Sequence, residues 1–310
     1  MTTAPDRLLR RLEWRLGRRL DGRLQGAYRT VWRGSGVDFT DLRAYTPEDD
    51  VRHIDWNVTA RLDEPFVRLY TEDRELTAWL VVDRSASMRV GRSPASDSTS
   101  GSGRWAGGQG KAAVATELAV SLSRLVVQGG NRVGAILYDN DAHRVIPPRT
   151  GRDQVLRIAR ELMRPQTPTR PGATTDLAAM LHLAASTTAR RRSLVFVLSD
   201  FIGDPGWGRP LAMLTHRHEV VVIRVVDPAE LELPDLGLIL VEDAETGEQL
   251  LVDASDPLLR GRLATQVGAR EEALAEGMRR AGVDAHLVST DEDVIAALVG
   301  MVRRSGWRRR

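Results

Sequence analysis

"LVVDRSASM", residues 80–88, decides how the chain is read. The apolar run Leu80-Val81-Val82 has the character of a strand buried on both faces, and it stops at an aspartate. Asp83, Ser85 and Ser87 then alternate with Arg84 and Ala86. In an extended or loosely turned loop, residues two apart point the same way. The carboxylate and both hydroxyls are therefore expected to face one centre, with Arg84 and Ala86 facing away.

The same pattern recurs along the chain. "SLVFVLSD" (193–200) and "EVVVIRVVD" (219–227) are further apolar strands ending in aspartate. "NRVGAILYD" (131–139) reads as a strand, and "AHRVIPP" (142–148) as a short edge strand, because proline closes it. Between them lie amphipathic helices: "KAAVATELAVSLSRLVVQ" (111–128), stopped by Gly129-Gly130; "RDQVLRIARELM" (152–163); "TTDLAAMLHLAASTTAR" (174–190), capped by Thr174 or Thr175; and "GRPLAMLTHR" (208–217). "LGLILVEDAETGEQLLVD" (236–253) reads as a hairpin around Thr246-Gly247. A helix near 257–280, the strand "DAHLVS" and a helix over about 291–303 follow.

Strands alternating with helices predict an α/β fold: a doubly wound, mostly parallel sheet with helices on both faces. Ligands of such sheets bind at the carboxyl ends of the strands, where strand order reverses. Asp83, Asp200 and the helix-opening Thr175 are expected to converge there. Leu8, Leu9, Leu12, Leu16, Leu20 and Leu24 form the apolar stripe of an N-terminal helix, followed to about residue 76 by a turn-rich segment with short strands such as "PFVRLYTE". The expected division is 1–75 for this helix and strand-rich segment, and 76–310 for the main α/β domain with its C-terminal hairpin and helix. "SPASDSTSGSGRWAGGQG" (93–110) is a low-complexity insertion expected to be a mobile loop.

Composition removes whole classes. There is no cysteine, so disulfides, thiolate catalysis and Cys-type zinc sites are excluded. No apolar run approaches the roughly 18 to 20 residues that span a bilayer, and the N-terminus lacks the apolar stretch of a signal peptide. A soluble, cytoplasmic protein is expected. Net charge is only +2, but arginines crowd the first helix and the chain ends "RRSGWRRR". Lys111 is the only lysine. The arginine-rich ends suit nucleic acid, anionic lipid or an acidic partner. No reading motif or aromatic stretch accompanies them, so the bland reading of a solvated helix face is preferred.

A carboxylate and hydroxyls gathered at strand ends suit a hard divalent cation, which takes oxygen ligands. Here the residues resemble a known site. "DRSAS" matches the D-x-S-x-S signature of the von Willebrand factor A domain. The resemblance implies a metal-ion-dependent adhesion site: Asp83, Ser85 and Ser87 in the first loop, Thr175 (with Thr174 as the alternative) in the second, and Asp200 in the third. The two aspartates act mostly through waters, and a sixth position is left for an acidic residue of a partner. The longer stretch "GSGVDFTDLRAYTPEDDVRHIDWNVTARLDEPFVRLYTEDRE" (34–75) resembles the signature of the DUF58 family, as does "DPAELELPDLGLILVEDAETGEQLLVD" (227–253). That resemblance implies a non-enzymatic, Mg2+- or Mn2+-dependent protein-binding adaptor or chaperone-like factor. Its implied partners are a MoxR-type AAA+ ATPase and an unidentified client. The insertion at 93–110 is longer than the family pattern and lies beside the metal loop.

Other readings compete. A serine hydrolase built on Ser85 or Ser87 needs a base and an oxyanion hole, and no G-x-S-x-G elbow is present. A Mg2+-dependent hydrolase lacks a nameable general base. "GGQGKAA" (107–113) fails as a P-loop because Trp105 and Ala112 stand where Gly and Ser/Thr are required, so Lys111 reads as a helix-start lysine flanking the loop. His216 and His218 read as a surface pair. In "TPEDDVRHIDW" (46–56) the acids are expected to pair with Arg43, Arg52 and Arg61, with Trp56 in a core.

Overall fold

The computed structural model of the chain describes residues 36–47, 49–51, 54–62, 64–73, 76–89, 110–139, 142–165, 176–188, 191–203, 205–232, 235, 237–242 and 249–304. The N-terminal helix, the insertion after Met88, Thr174, Thr175, the hairpin tip and the terminal arginines lie outside them. In chain order the elements are β1 (Gly36–Ala44), α1 (Trp56–Leu62), β2 (Phe66–Asp73), β3 (Thr77–Asp83), α2 (Ala86–Arg89), α3 (Lys111–Gln128), β4 (Arg132–Asp139), β5 (Ala142–Arg149), α4 (Arg152–Leu162), α5 (Leu177–Thr188), β6 (Leu194–Ser199), α6 (Gly208–Arg217), β7 (Glu219–Val226), α7 (Pro228–Leu231), β8 (Leu238–Glu242), β9 (Gln249–Asp253), α8 (Pro257–Arg280), β10 (Ala285–Ser289) and α9 (Val294–Arg304).

The expected doubly wound sheet is present. Six strands lie in the order β10-β7-β6-β3-β4-β5, all parallel except β5, which runs antiparallel at the edge. β3 is at the centre because its apolar run buries both faces: every residue from Ala78 to Asp83 is buried. Leu80 and Val82, with Phe196 and Leu198 of β6, pack against Val114 and Leu118 of α3, Ile158 of α4 and Leu298 of α9. On the other face Trp79, Val81, Val195 and Val197 meet Met180 and Leu181 of α5, Leu211 of α6 and Met278 of α8. The chain leaves β3 for β4 and β5 on one side, then crosses back to β6, β7 and β10 on the other. Strand order thus reverses between β3 and β6, which opens a crevice at their carboxyl ends.

Local signals explain the boundaries. Gly130 takes φ 76 after α3, which costs a glycine little. Asp256 accepts from Leu258 N at 2.8 Å, with Pro257 opening α8. Asp176 accepts from Ala179 N at 2.8 Å and so caps α5. Near the irregular β4–β5 pairing, Gln154 Nε2 donates to Val133 O and Pro147 O. Outside the main sheet, β1–β2 and β8–β9 are antiparallel pairs.

Two expectations are corrected here. Trp56 is 68% exposed, not in a core. It opens α1, a helix with no buried residue, tied down by the Asp55 cap and by Phe66 N donating to Thr59 Oγ1, so no apolar pocket awaits the indole. His218 is buried, not on the surface. It closes α6 in extended backbone, where its ring accepts from Ser193 N and bonds Thr188 Oγ1. Burial holds its pKa below the ordinary value. Of the expected acid–arginine pairs, Arg43–Asp49 is present: Arg43 donates to both oxygens of Asp49 and, with the Thr46 donors, holds that carboxyl well down. Arg52 lies outside the described residues.

Candidate functional site

Asp83 is the last residue of β3 and is buried. Its Oδ1 accepts from Ser85 N at 2.9 Å, and its Oδ2 accepts from Ser199 Oγ at 2.6 Å. The Ser85 and Ser87 hydroxyls lie 3.0 Å apart, both buried. Of the two forms expected, extended or loosely turned, the loop takes the second: it turns at Ser85 and enters α2 at Ala86. The turn still brings the hydroxyls together, because the Asp83 carboxylate satisfies the backbone N–H at its apex. Arg84 points elsewhere, as expected. Its guanidinium donates to Glu161 O at 3.1 Å and Arg164 O at 2.8 Å, closing the carbonyl end of α4.

Asp200 follows β6 directly, one residue beyond Ser199. Its Oδ1 accepts from Ile202 N at 3.0 Å. Phe201, between them, has φ 57, a conformation that costs a bulky residue strain. The ring is nevertheless buried, edge-on to Trp207 at 5.2 Å between centroids, and Phe201 N donates to Ser199 Oγ. Packing therefore fixes a turn that aims Asp200 into the crevice. Ser199 ties both loops together and was missed from sequence. The signal was a polar residue interrupting the run "VFVLS" before the aspartate.

The largest departure is Lys111. It opens α3, as expected, but it does not merely flank a loop. Its side chain is fully buried; Nζ donates to Asp200 Oδ2 at 2.7 Å and also to Glu230, which stands on α7 beyond β7. Burial alone would lower its pKa, but Asp200 and Glu230 outweigh that and keep the ammonium charged. Asp83, Asp200 and Glu230 carry three negative charges against this one positive charge. The imbalance is felt at Asp83, whose carboxyl is pushed up to about 6 by burial and by the neighbouring Asp200.

Asp83, Ser85, Ser87 and Asp200 thus come together, while Thr175 and Thr174 lie outside the described residues. Among the described residues no three His, Asp or Glu side chains gather as a metal cluster; the set here is two carboxylates and two hydroxyls. All-oxygen donors with surplus negative charge fit a hard divalent cation. No helix among the described residues is long and apolar enough to cross a membrane.

The family model described as "Protein of unknown function DUF58" matches residues 41–273. An uncharacterized protein of Mycobacterium tuberculosis, Rv1480, is 37% identical over 301 residues, covering 96% of this chain and 89% of that one. Another uncharacterized protein, MAV169 of Mycobacterium avium, is 36% identical over 161 residues, 51% of this chain and 92% of its own. Among solved structures, an aerotolerance-related membrane protein from Bacteroides fragilis aligns with TM-score 0.45 and 16% identity over 74% of this chain and 99% of its own. BatB from Bacteroides thetaiotaomicron aligns with TM-score 0.43 and 14% identity over 74% of this chain and 98% of its own. A von Willebrand factor type A protein from Catenulispora acidiphila aligns with TM-score 0.39 and 12% identity over 77% of this chain and 44% of its own.

Proposed function

The chain belongs to the DUF58 family, and from that premise we propose that it is a non-enzymatic protein-binding adaptor whose carboxyl-edge site uses Mg2+ or Mn2+ to meet an acidic side chain of its partner. The observation that carries this reading is the buried meeting of Asp83, Ser85, Ser87 and Asp200 with negative charge left over. These four, with Thr175, would hold the ion. When bound, the ion supplies an electrophilic position that a partner's Asp or Glu completes. Asp83 and Ser199 link the two loops, and the Phe201–Trp207 contact keeps Asp200 turned inward.

Ser85 and Ser87 bond each other, and His218, the only buried histidine among the described residues, is committed to Thr188 and Ser193 at the amino end of the sheet.

The resemblance supplies the partner: a MoxR-type AAA+ ATPase, with a client still to be identified. Titration calorimetry with such an ATPase is the test, in Mg2+ and in EDTA, for wild type and Ser85→Ala/Ser87→Ala. Binding in Mg2+ that is lost in EDTA and in the double variant supports the adaptor. Binding unchanged by EDTA removes the bridging ion. Phosphatase or esterase turnover that disappears in Asp83→Ala would replace the adaptor with a hydrolase.

A further inference from the structure

We propose that Lys111 is a built-in cation of this site, whose ammonium competes with the divalent ion for Asp200 and so sets how tightly the site loads. The proposal rests on the metal reading above but concerns a residue that reading does not use.

Geometry comes first. Asp200 has one oxygen on Ile202 N and the other, at 2.7 Å, on Lys111 Nζ. The lone pair of Oδ2 that receives the ammonium is closed to an ion or to its water shell. Lys111 is fully buried, so no solvent shares its three donors. Glu230 gives the ammonium a second acceptor on a different element. When an ion takes Asp200, Lys111 keeps a charged partner, so the exchange strands no bare ammonium in the interior.

Composition points the same way. The chain carries 44 basic residues, and only this one is lysine. A guanidinium is a planar fork suited to one carboxylate held flat against it. An ammonium is a compact point charge with donors spread in three directions, which suits carboxylates arriving from separate elements. The charge count completes the argument. Asp83, Asp200 and Glu230 outnumber the one ammonium, and Asp227 adds to the negative excess at Glu230. Without Lys111 the site would carry a further negative charge and attract the ion more strongly.

The test is divalent-ion binding by the full chain, read by calorimetry with Mn2+ and Mg2+. Lys111→Met keeps most of the stem and removes the charge; it is expected to bind at least about tenfold more tightly than wild type. Glu230→Gln keeps an acceptor oxygen but removes the competing charge, which leaves the ammonium to Asp200; its affinity should fall by about the same factor. Equal or weaker binding by Lys111→Met overturns the proposal. A readout on the unaltered protein covers the case in which that variant does not fold. Labelling with [15N]lysine gives one side-chain Nζ signal, which should shift with Mg2+ at the calorimetric midpoint. An Nζ signal that stays fixed while calorimetry saturates also overturns it. If neither wild type nor Lys111→Met takes up Mg2+ or Mn2+, the metal reading itself falls, an outcome distinct from metal uptake indifferent to the lysine.

Discussion

Asp83 accepts two hydrogen bonds, yet burial and the nearby Asp200 still hold its folded-state value at about 6, against 3.8 when free. Between these values the native state binds the proton that the unfolded state has released. The contribution of Asp83 to stability is therefore full below about pH 3.8 and is lost as pH rises through about 6. Asp83→Asn should raise the metal-free midpoint of urea unfolding at pH 7.5 and flatten its slope between pH 4 and 6. A midpoint equal to or below wild type would contradict this. A neighbouring residue permits a second expectation. Arg84→Ala strips the donors from Glu161 O and Arg164 O and should cost about 1 kcal/mol in the same assay, at any pH. The strand-end residues Asp83, Ser85, Ser87 and Asp200 were legible because an apolar run that halts at oxygen donors is a local pattern. Lys111 and Glu230 were not. Lys111 meets Asp200 across 89 residues and Glu230 across 119, and no spacing rule reaches that far.

Helix α8 holds three glycines with different surroundings. A Cβ at Gly277 would come within 2.7 Å of the Trp207 ring, whereas Gly261 and Gly268 face open space. Alanine is the better helix former by about 1 kcal/mol. Gly261→Ala and Gly268→Ala should each stabilise by up to about that amount, while Gly277→Ala should destabilise by about 1–3 kcal/mol because the indole must shift. Thermal melts of the three variants decide it; a stabilised Gly277→Ala would show that Trp207 yields easily. Helix limits such as those of α3, α6 and α8 were readable because glycines and caps act on nearest neighbours. The surroundings of Trp56 and His218 were not, because exposure depends on what else packs nearby.

Alternating strands and helices announced a parallel sheet, and the β-strand at its edge was legible from Pro147 and Pro148. The strand order was not, since alternation does not say where the chain crosses back over β3. That order has a measurable result. β3 is buried from Ala78 to Asp83 and paired on both sides, whereas β8 and β9 pair with each other and leave Leu238, Leu250 and Leu251 exposed. Hydrogen exchange should therefore release the β8–β9 amides early and the β3 amides last, near the rate of global unfolding. Early exchange in β3 would mean that the sheet opens between β3 and β6.

A chain whose single lysine is walled in has almost no amine chemistry to offer. Reagents that acylate ε-amines, and enzymes that conjugate tags to them, meet no exposed lysine. Acylation of Lys111 must wait for the crevice to open, so its rate is a stopwatch on that opening. In a mixture with lysine-rich proteins, this chain should be the slowest to be labelled at ε-amines.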